Sequence, residues 1–165
     1  MIHVRRENIN VPVQIEKYQQ NIEGWGTFTR YRVKNGRMPV GYVDLQDTER
    51  GCHVMYIENQ YPNIYSGFGN LADQIEVKHC LDRGIKSPYI ESEALVGTLF
   101  QHFKRGKRFL NEEINAHLQK ILKNLKKGER ISTEHFGKQA MFMPQKMVQE
   151  CIEKMKKNPL TFIKK

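Results

Sequence analysis

Hydrophobic positions along the 165-residue chain change period several times. Residues 2–5 read as a short strand. Asn10 stands where a helix cap belongs, Pro12 falls near the first turn, and Val13, Ile15, Tyr18 and Ile22 predict a short helix to about residue 20. Gly24 and Gly26, on either side of Trp25, break it. Residues 27–33 alternate and are rich in β-formers, Asn35-Gly36 is a hairpin turn signal, and residues 38–45 return as a second strand. A polar turn over residues 47–51 leads into a third strand ending near residue 58, which makes a meander.

The second half is mostly helical in period. After Ser66-Gly67-Phe68-Gly69-Asn70, the residues Leu71, Ala72, Ile75 and His79 share one helical face, and Gly84 stops that helix. Residues 87–91 form a strand. Strand, long helix and strand imply a parallel crossover beside the meander. Ser92 is placed to cap a helix with Leu95, Leu99, Phe100 and Phe103 inward, ended by Gly106. Asn111 caps the next helix, to about residue 127, where Ile114, Leu118, Ile121, Leu122 and Leu125 form a stripe with lysines opposite. Residues 139–143 are a candidate strand. A last helix starts at Pro144, shows Met147, Val148, Cys151, Ile152 and Met155 on one face, and stops before Pro159.

Composition places these elements in one soluble domain of ordinary core size, with 39% hydrophobic and 27% charged residues. No apolar run is long enough to cross a membrane, and no signal-peptide pattern follows Met1; a cytoplasmic protein is expected. Cys52, Cys80 and Cys151 are widely spaced and odd in number, which suggests buried free thiols. No Cys or His pair has zinc spacing, so no metal is expected. Charge is uneven. Residues 1–103 carry 11 Lys/Arg against 12 Asp/Glu, whereas residues 104–165 carry 16 against 6. The basic C-terminal third could face nucleic acid, an acidic acceptor or cofactor phosphates, or be a set of solvated helix faces.

The candidate chemistry lies in the glycine turn. A strand, a Gly-x-Gly turn and a helix together make an anion site, because the helix leaves its first N–H groups unpaired and glycine lets backbone approach a phosphate. The Walker A pattern is absent. A dinucleotide fingerprint would tolerate Ala72 as its third small residue but needs a second parallel strand ending in an acidic residue, which is not evident. The stretch Ile64-Tyr65-Ser66-Gly67-Phe68-Gly69 resembles the Arg/Gln-x-x-Gly-x-Gly/Ala turn of the GNAT acyl-CoA N-acyltransferases, with Ile64 in place of the basic or amide residue.

The order of elements over residues 2–106 is also similar to that superfamily. The resemblance implies an α/β (α+β) fold with a mixed, mostly antiparallel central sheet flanked by helices, and a divergent helical part over residues 107–165. Residues 139–143 would be the displaced last core strand. It implies acetyl-CoA as cosubstrate, lying in a splay between the strand before the turn and the strand after the long helix. By position, the backbone of Tyr65, Ser66, Gly67, Phe68, Gly69 and Asn70 would meet the pyrophosphate, and that of Ile57 and Asn59 would pair with the pantetheine arm. Lys104, Arg105 and Lys107 are candidates for the 3′-phosphate. Glu58 and His53, on the strand before the turn, are candidate proton acceptors; strict alternation puts them on opposite faces, and a bulge would change that. His102 occupies the place of the family's tyrosine acid, where an imidazolium could donate a proton or a hydrogen bond to the leaving sulfur.

Three functions follow in order of preference. The first is an N-acetyltransferase acting by direct attack of a primary amine, on a small molecule or a protein. The second is a non-catalytic module binding CoA or a partner. The third is a basic nucleic-acid-binding protein. The apolar faces of the last two helices suit packing on the core or a homodimer.

Overall fold

A computed structural model describes residues 2–6, 9–24, 26–129 and 131–165. The strands are β1 (His3–Arg6), β2 (Ile9–Pro12), β3 (Gln14–Ile22), β4 (Gly26–Asn35), β5 (Met38–Asp47), β6 (Gly51–Asn59), β7 (Tyr65–Ser66), β8 (Tyr89–Ala94), β9 (Arg108–Phe109), β10 (Gln139–Phe142) and β11 (Phe162–Lys164). The helices are α1 (Phe68–Asp82), α2 (Leu99–Arg105), α3 (Glu112–Lys123) and α4 (Gln145–Lys157). Eight strands form one mixed, mostly antiparallel sheet in the order β11-β3-β4-β5-β6-β8-β10-β9, and β2-β1-β7 form a small second sheet.

The meander has four strands rather than three. The helix expected over residues 10–20 is absent; β2 and β3 occupy that stretch, and β3 pairs with β4 from Gln14 to Ile22. Val13, Ile15 and Tyr18 do not sustain a helical stripe, and nine consecutive cross-strand partners outweigh a weak local preference. The predicted break after it falls at the turn into β4, and Trp25 itself lies outside the described residues. The Asn35-Gly36 hairpin forms as expected. The edge at β3 is covered by the C-terminal strand β11, which runs parallel to it and sets Phe162 against Tyr31 with ring centroids 4.5 Å apart.

One face of the meander carries the core. Partners across a ladder share a face, so Tyr31, Val43 and Ile57 lie together, as do Thr29, Leu45 and Val54. Leu71, Ala72 and Ile75 of α1 pack there, with Met147, Val148 and Cys151 of α4 behind them. The opposite face shows Arg30, Asp44 and Tyr56 in one row and Arg32, Tyr42 and Glu58 in the next. A second cluster, built from Phe100, Phe103, Phe109, Leu118 and Met141, joins α2 and α3 to β9 and β10. All three cysteines are buried and free.

The far end of α1 is pinned by a polar chain that runs from the core out to the surface. Tyr31 Oη lies 2.6 Å from His79 Nδ1, and His79 Nε2 lies 2.6 Å from Asp47 Oδ1. Burial lowers the His79 pKa below its ordinary value, and the Asp47 bond offsets this only in part. The unfolded chain therefore takes up this proton first as pH falls. Stability contributed by His79 is whole above about pH 6.5 and declines below it, by up to about 1.4 kcal/mol per pH unit. Urea unfolding at pH 7.5, 6.5 and 5.5 should show this slope, and His79→Gln should flatten it. His79→Ala, which leaves the buried Tyr31 hydroxyl without its partner, should cost about 2–4 kcal/mol at pH 7.5.

Candidate functional site

Parallel pairing between β6 and β8 lasts only three residues, Gly51–Tyr89, Cys52–Ile90 and His53–Glu91. Gly51 permits this start, since a Cβ there would clash with the Tyr89 carbonyl oxygen. Beyond it the strands part. β6 stays with β5, and β8 turns to pair antiparallel with β10 through Gln139–Ala94 to Phe142–Glu91. Between them is a cavity of about 360 Å³, lined by Val54, Met55, Tyr56, Ile57 and Asn59 on one side and Ser92, Glu93 and Leu95 on the other. Gly67, Phe68 and Gly69 at the start of α1, and Thr98, His102 and Arg105 of the α2 region, close one end.

β6 carries a bulge here. Asp44 opposes Tyr56 and Leu45 opposes Val54, so Met55 is the extra residue. The bulge puts His53, Tyr56 and Glu58 on the same open face, where unbroken alternation would have separated His53 from Glu58. Neither His53 nor Glu58 lines the cavity. His53 Nδ1 sits 3.6 Å from Glu91 Oε1 at the base of the splay. Glu58 bonds the Tyr42 hydroxyl, whose pKa is pushed up to about 12 by burial and by that carboxylate. Glu93 of β8 is the open-face carboxylate that lines the cavity, a residue sequence reasoning assigned to a helix. β8 runs through Ala94, so Ser92 is a strand residue; Thr98 precedes α2, and Leu95 is exposed rather than inward.

The glycine turn divides into two parts. Tyr65 and Ser66 form β7 against Arg6 and Arg5, and the Tyr65 N–H donates to the Tyr61 carbonyl at 2.9 Å. They are therefore framework rather than open cradle. Gly67, Phe68 and Gly69 line the cavity, while Asn70 lies beside it with Asp73 and Arg105. Gly67 caps α1 at φ 80°, with no side-chain cap and no acidic residue in the first turn. The leading N–H groups of this 15-residue helix lack intrahelical acceptors and face the cavity end. Ile64 packs against the core. The cation missing at that position is supplied across the fold: a Cβ on Gly69 would lie 3.1 Å from the Arg105 guanidinium.

Arg105 belongs to a buried charge cluster beneath the turn. Its Nε donates to Asp73 Oδ2 at 3.0 Å, and Lys107 Nζ donates to Glu76 Oε1 at 2.8 Å and stands 3.8 Å from Asp73 Oδ1. Lys107 and Glu76 are almost wholly buried; Lys107 also lines the cavity, with its ammonium taken up by Glu76 and Asp73. Burial disfavours the Lys107 ammonium, but Glu76 and Asp73 outweigh it and hold its pKa above the ordinary value. Burial raises the Glu76 carboxyl pKa while Lys107 draws it back; with the ammonium at 2.8 Å we take the pair as ionised. Asp73 Oδ1, Glu76 Oε2 and Ser92 Oγ are buried without a hydrogen-bond partner among the described residues.

His102 lines the cavity, but not as an imidazolium. Burial, then Arg105 and Lys107, lower its pKa to about 3. Nδ1 accepts from the Arg105 guanidinium at 2.9 Å, which leaves the proton of the neutral ring on Nε2. His102 is thus a hydrogen-bond donor at neutral pH and not a source of a proton.

No family model matches the chain, and no curated protein matches it. Among solved structures, a "Putative acetyltransferase from GNAT family" from Bacteroides thetaiotaomicron matches at 15% identity over 87% of this chain and 82% of that one, with a TM-score of 0.33. A likeness this loose carries no weight by itself, and the functional reading rests on the chain's own geometry.

Removing one partner of the Lys107–Glu76 pair strands the other as an uncompensated buried charge. Lys107→Met and Glu76→Leu should each destabilise by about 3–5 kcal/mol in urea unfolding, and the double variant should recover most of that loss.

Proposed function

We propose that the protein is an acyl-CoA-dependent N-acyltransferase of the GNAT type, moving an acetyl group from acetyl-CoA to a primary amine. The observation that carries this is the splay of β6 and β8 around a cavity with the uncapped end of α1 at its rim. Parting leaves the inner edge of β6 without a sheet partner between Val54 and Asn59, so backbone groups there face the gap. An amide-bearing pantetheine arm fits that edge as a strand would, beside Ile57 and Asn59. Gly67, Phe68 and Gly69 present the helix end to a pyrophosphate, and Arg105 adds a cation over Gly69.

The acyl group then lies near the bulge at Met55. The amine nitrogen attacks the thioester carbonyl, the N–C bond forms, the C–S bond breaks, and the sulfur leaves with the electron pair. Backbone N–H groups freed from the ladder at the bulge stabilise the carbonyl oxygen as it gains charge. His102 Nε2–H donates to the departing sulfur. The proton lost by the amine leaves through the open-face mouth, where Glu93 is the lining carboxylate. His53 and Glu58 lie outside this cavity.

Calorimetric titration with acetyl-CoA tests the reading. Binding in the micromolar range is expected for the native chain. Gly69→Asp, which displaces Arg105 and sets a carboxylate at the helix end, should weaken it by roughly a hundredfold with the fold intact by circular dichroism. No binding at millimolar acetyl-CoA would overturn the reading.

A further inference from the structure

The cavity passes through the sheet, and its two ends carry opposite charge. The core-side end has the helix N-terminus, Arg105 and Lys107, with Asp73 beside both cations. The open-face end has Tyr56 and Glu93 in its lining, with Glu58 and Glu91 flanking it on the adjoining rows. This acidic mouth sits on a chain whose formal net charge is +9.

On the open face, His53 lies 3.6 Å from Glu91, and the arginines are engaged with other partners. Arg30 makes a two-pronged bond to Asp44 at 2.8 and 2.9 Å and stacks 4.2 Å over Tyr42. Arg32 lies over Tyr18 at 5.3 Å, and Arg50 over Tyr89 at 4.6 Å. Glu93 has no ionic partner among the described residues. The Tyr42 and Tyr56 rings are 5.7 Å apart and lie beside Glu58, while Tyr56 remains 47% exposed. Carboxylates beside exposed aromatic faces form a cation site. Inside the mouth, the Ser92 hydroxyl is buried, lines the cavity and lacks a partner, so a polar group of a bound molecule would satisfy it.

We propose that the acceptor is an amine bearing a second positive charge, of the diamine class, that docks on the open sheet face. The reacting nitrogen passes Glu93 and Ser92 into the splay, and the second ammonium is held outside by Glu58, Glu91 and the Tyr56 ring. This rests on the acyl-transfer reading and adds the substrate class to it. It also gives the exposed aromatic rows a role and sets the acceptor apart from the acidic or nucleic-acid-bound kind that the basic C-terminal third suggests.

The test is equilibrium binding of 1,4-diaminobutane, n-butylamine and 4-aminobutanoate, measured calorimetrically with and without CoA. The diamine should bind at least about tenfold more tightly than the monoamine, the amino acid should bind most weakly, and the preference should shrink at high salt. The double variant Glu58→Gln with Glu91→Gln, both at solvent-accessible positions, should bring the diamine to within about twofold of the monoamine. Absence of amine binding, equal binding of diamine and monoamine, or a preference that survives in the variant overturns the proposal. The acetyl-CoA titration is independent of it. Acetyl-CoA binding without diamine preference sinks this proposal alone, whereas diamine preference without acetyl-CoA binding sinks the acyl-transfer reading and with it the acceptor role, leaving a diamine-binding face.

Discussion

The structure turns on where two parallel strands stop pairing. β6 and β8 each have an antiparallel neighbour on the outer side, β5 and β10, and those ladders hold them along diverging paths. Their shared ladder therefore ends at His53–Glu91. Backbone N–H and C=O groups on the inner edges then lack the partners that a continuous sheet would give them. Such groups need water or a ligand, and an extended amide chain supplies the matching pattern. The Met55 bulge lies on the same stretch, so backbone distortion and cavity coincide.

Around that gap the charges are arranged against the average of the chain. The core-side end is positive because α1 begins there uncapped and because Asp73 orients Arg105 over Gly69. A cation from α2 thus stands beside the turn where Ile64 offers none. The same arginine occupies Nδ1 of His102 and helps keep that ring neutral. Lys107 also lines the cavity, with its charge taken up inside the cluster. It balances Glu76 and Asp73, which lets two carboxylates be buried behind the start of α1. The open-face end is acidic, and the arginines of that face are held by Asp44 and by tyrosine rings.

Local signals in the sequence determined most of the elements and their order. The Asn-Gly signal marks a hairpin whose turn holds Gly36 at φ 60°, and Gly84 ends α1 at φ 86°; the apolar faces of α3 and α4 follow the helical period. The glycine turn was legible as a strand-to-helix turn, and Gly67 adopts φ 80° at the helix cap. What the sequence could not settle was decided by pairing at long range. Val13, Ile15 and Tyr18 suit a short helix or a strand, and only the nine-residue ladder with β4 selects the strand. The bulge at Met55 depends on how two strands share their hydrogen bonds, so the common face of His53 and Glu58 has no signature in either strand alone. Ser92 and Glu93 belong to β8 because β10 returns far downstream to pair Met141 with Ser92 and Ala140 with Glu93. Lys107 sits in a run of basic residues that reads as solvated, yet the chain's path after Gly106 carries it under α1 to Glu76. Period, turn chemistry and caps act within a few residues and are written in sequence; register, burial of a charge and the parting of two strands arise from partners distant in the chain, and the tertiary structure alone assigned them.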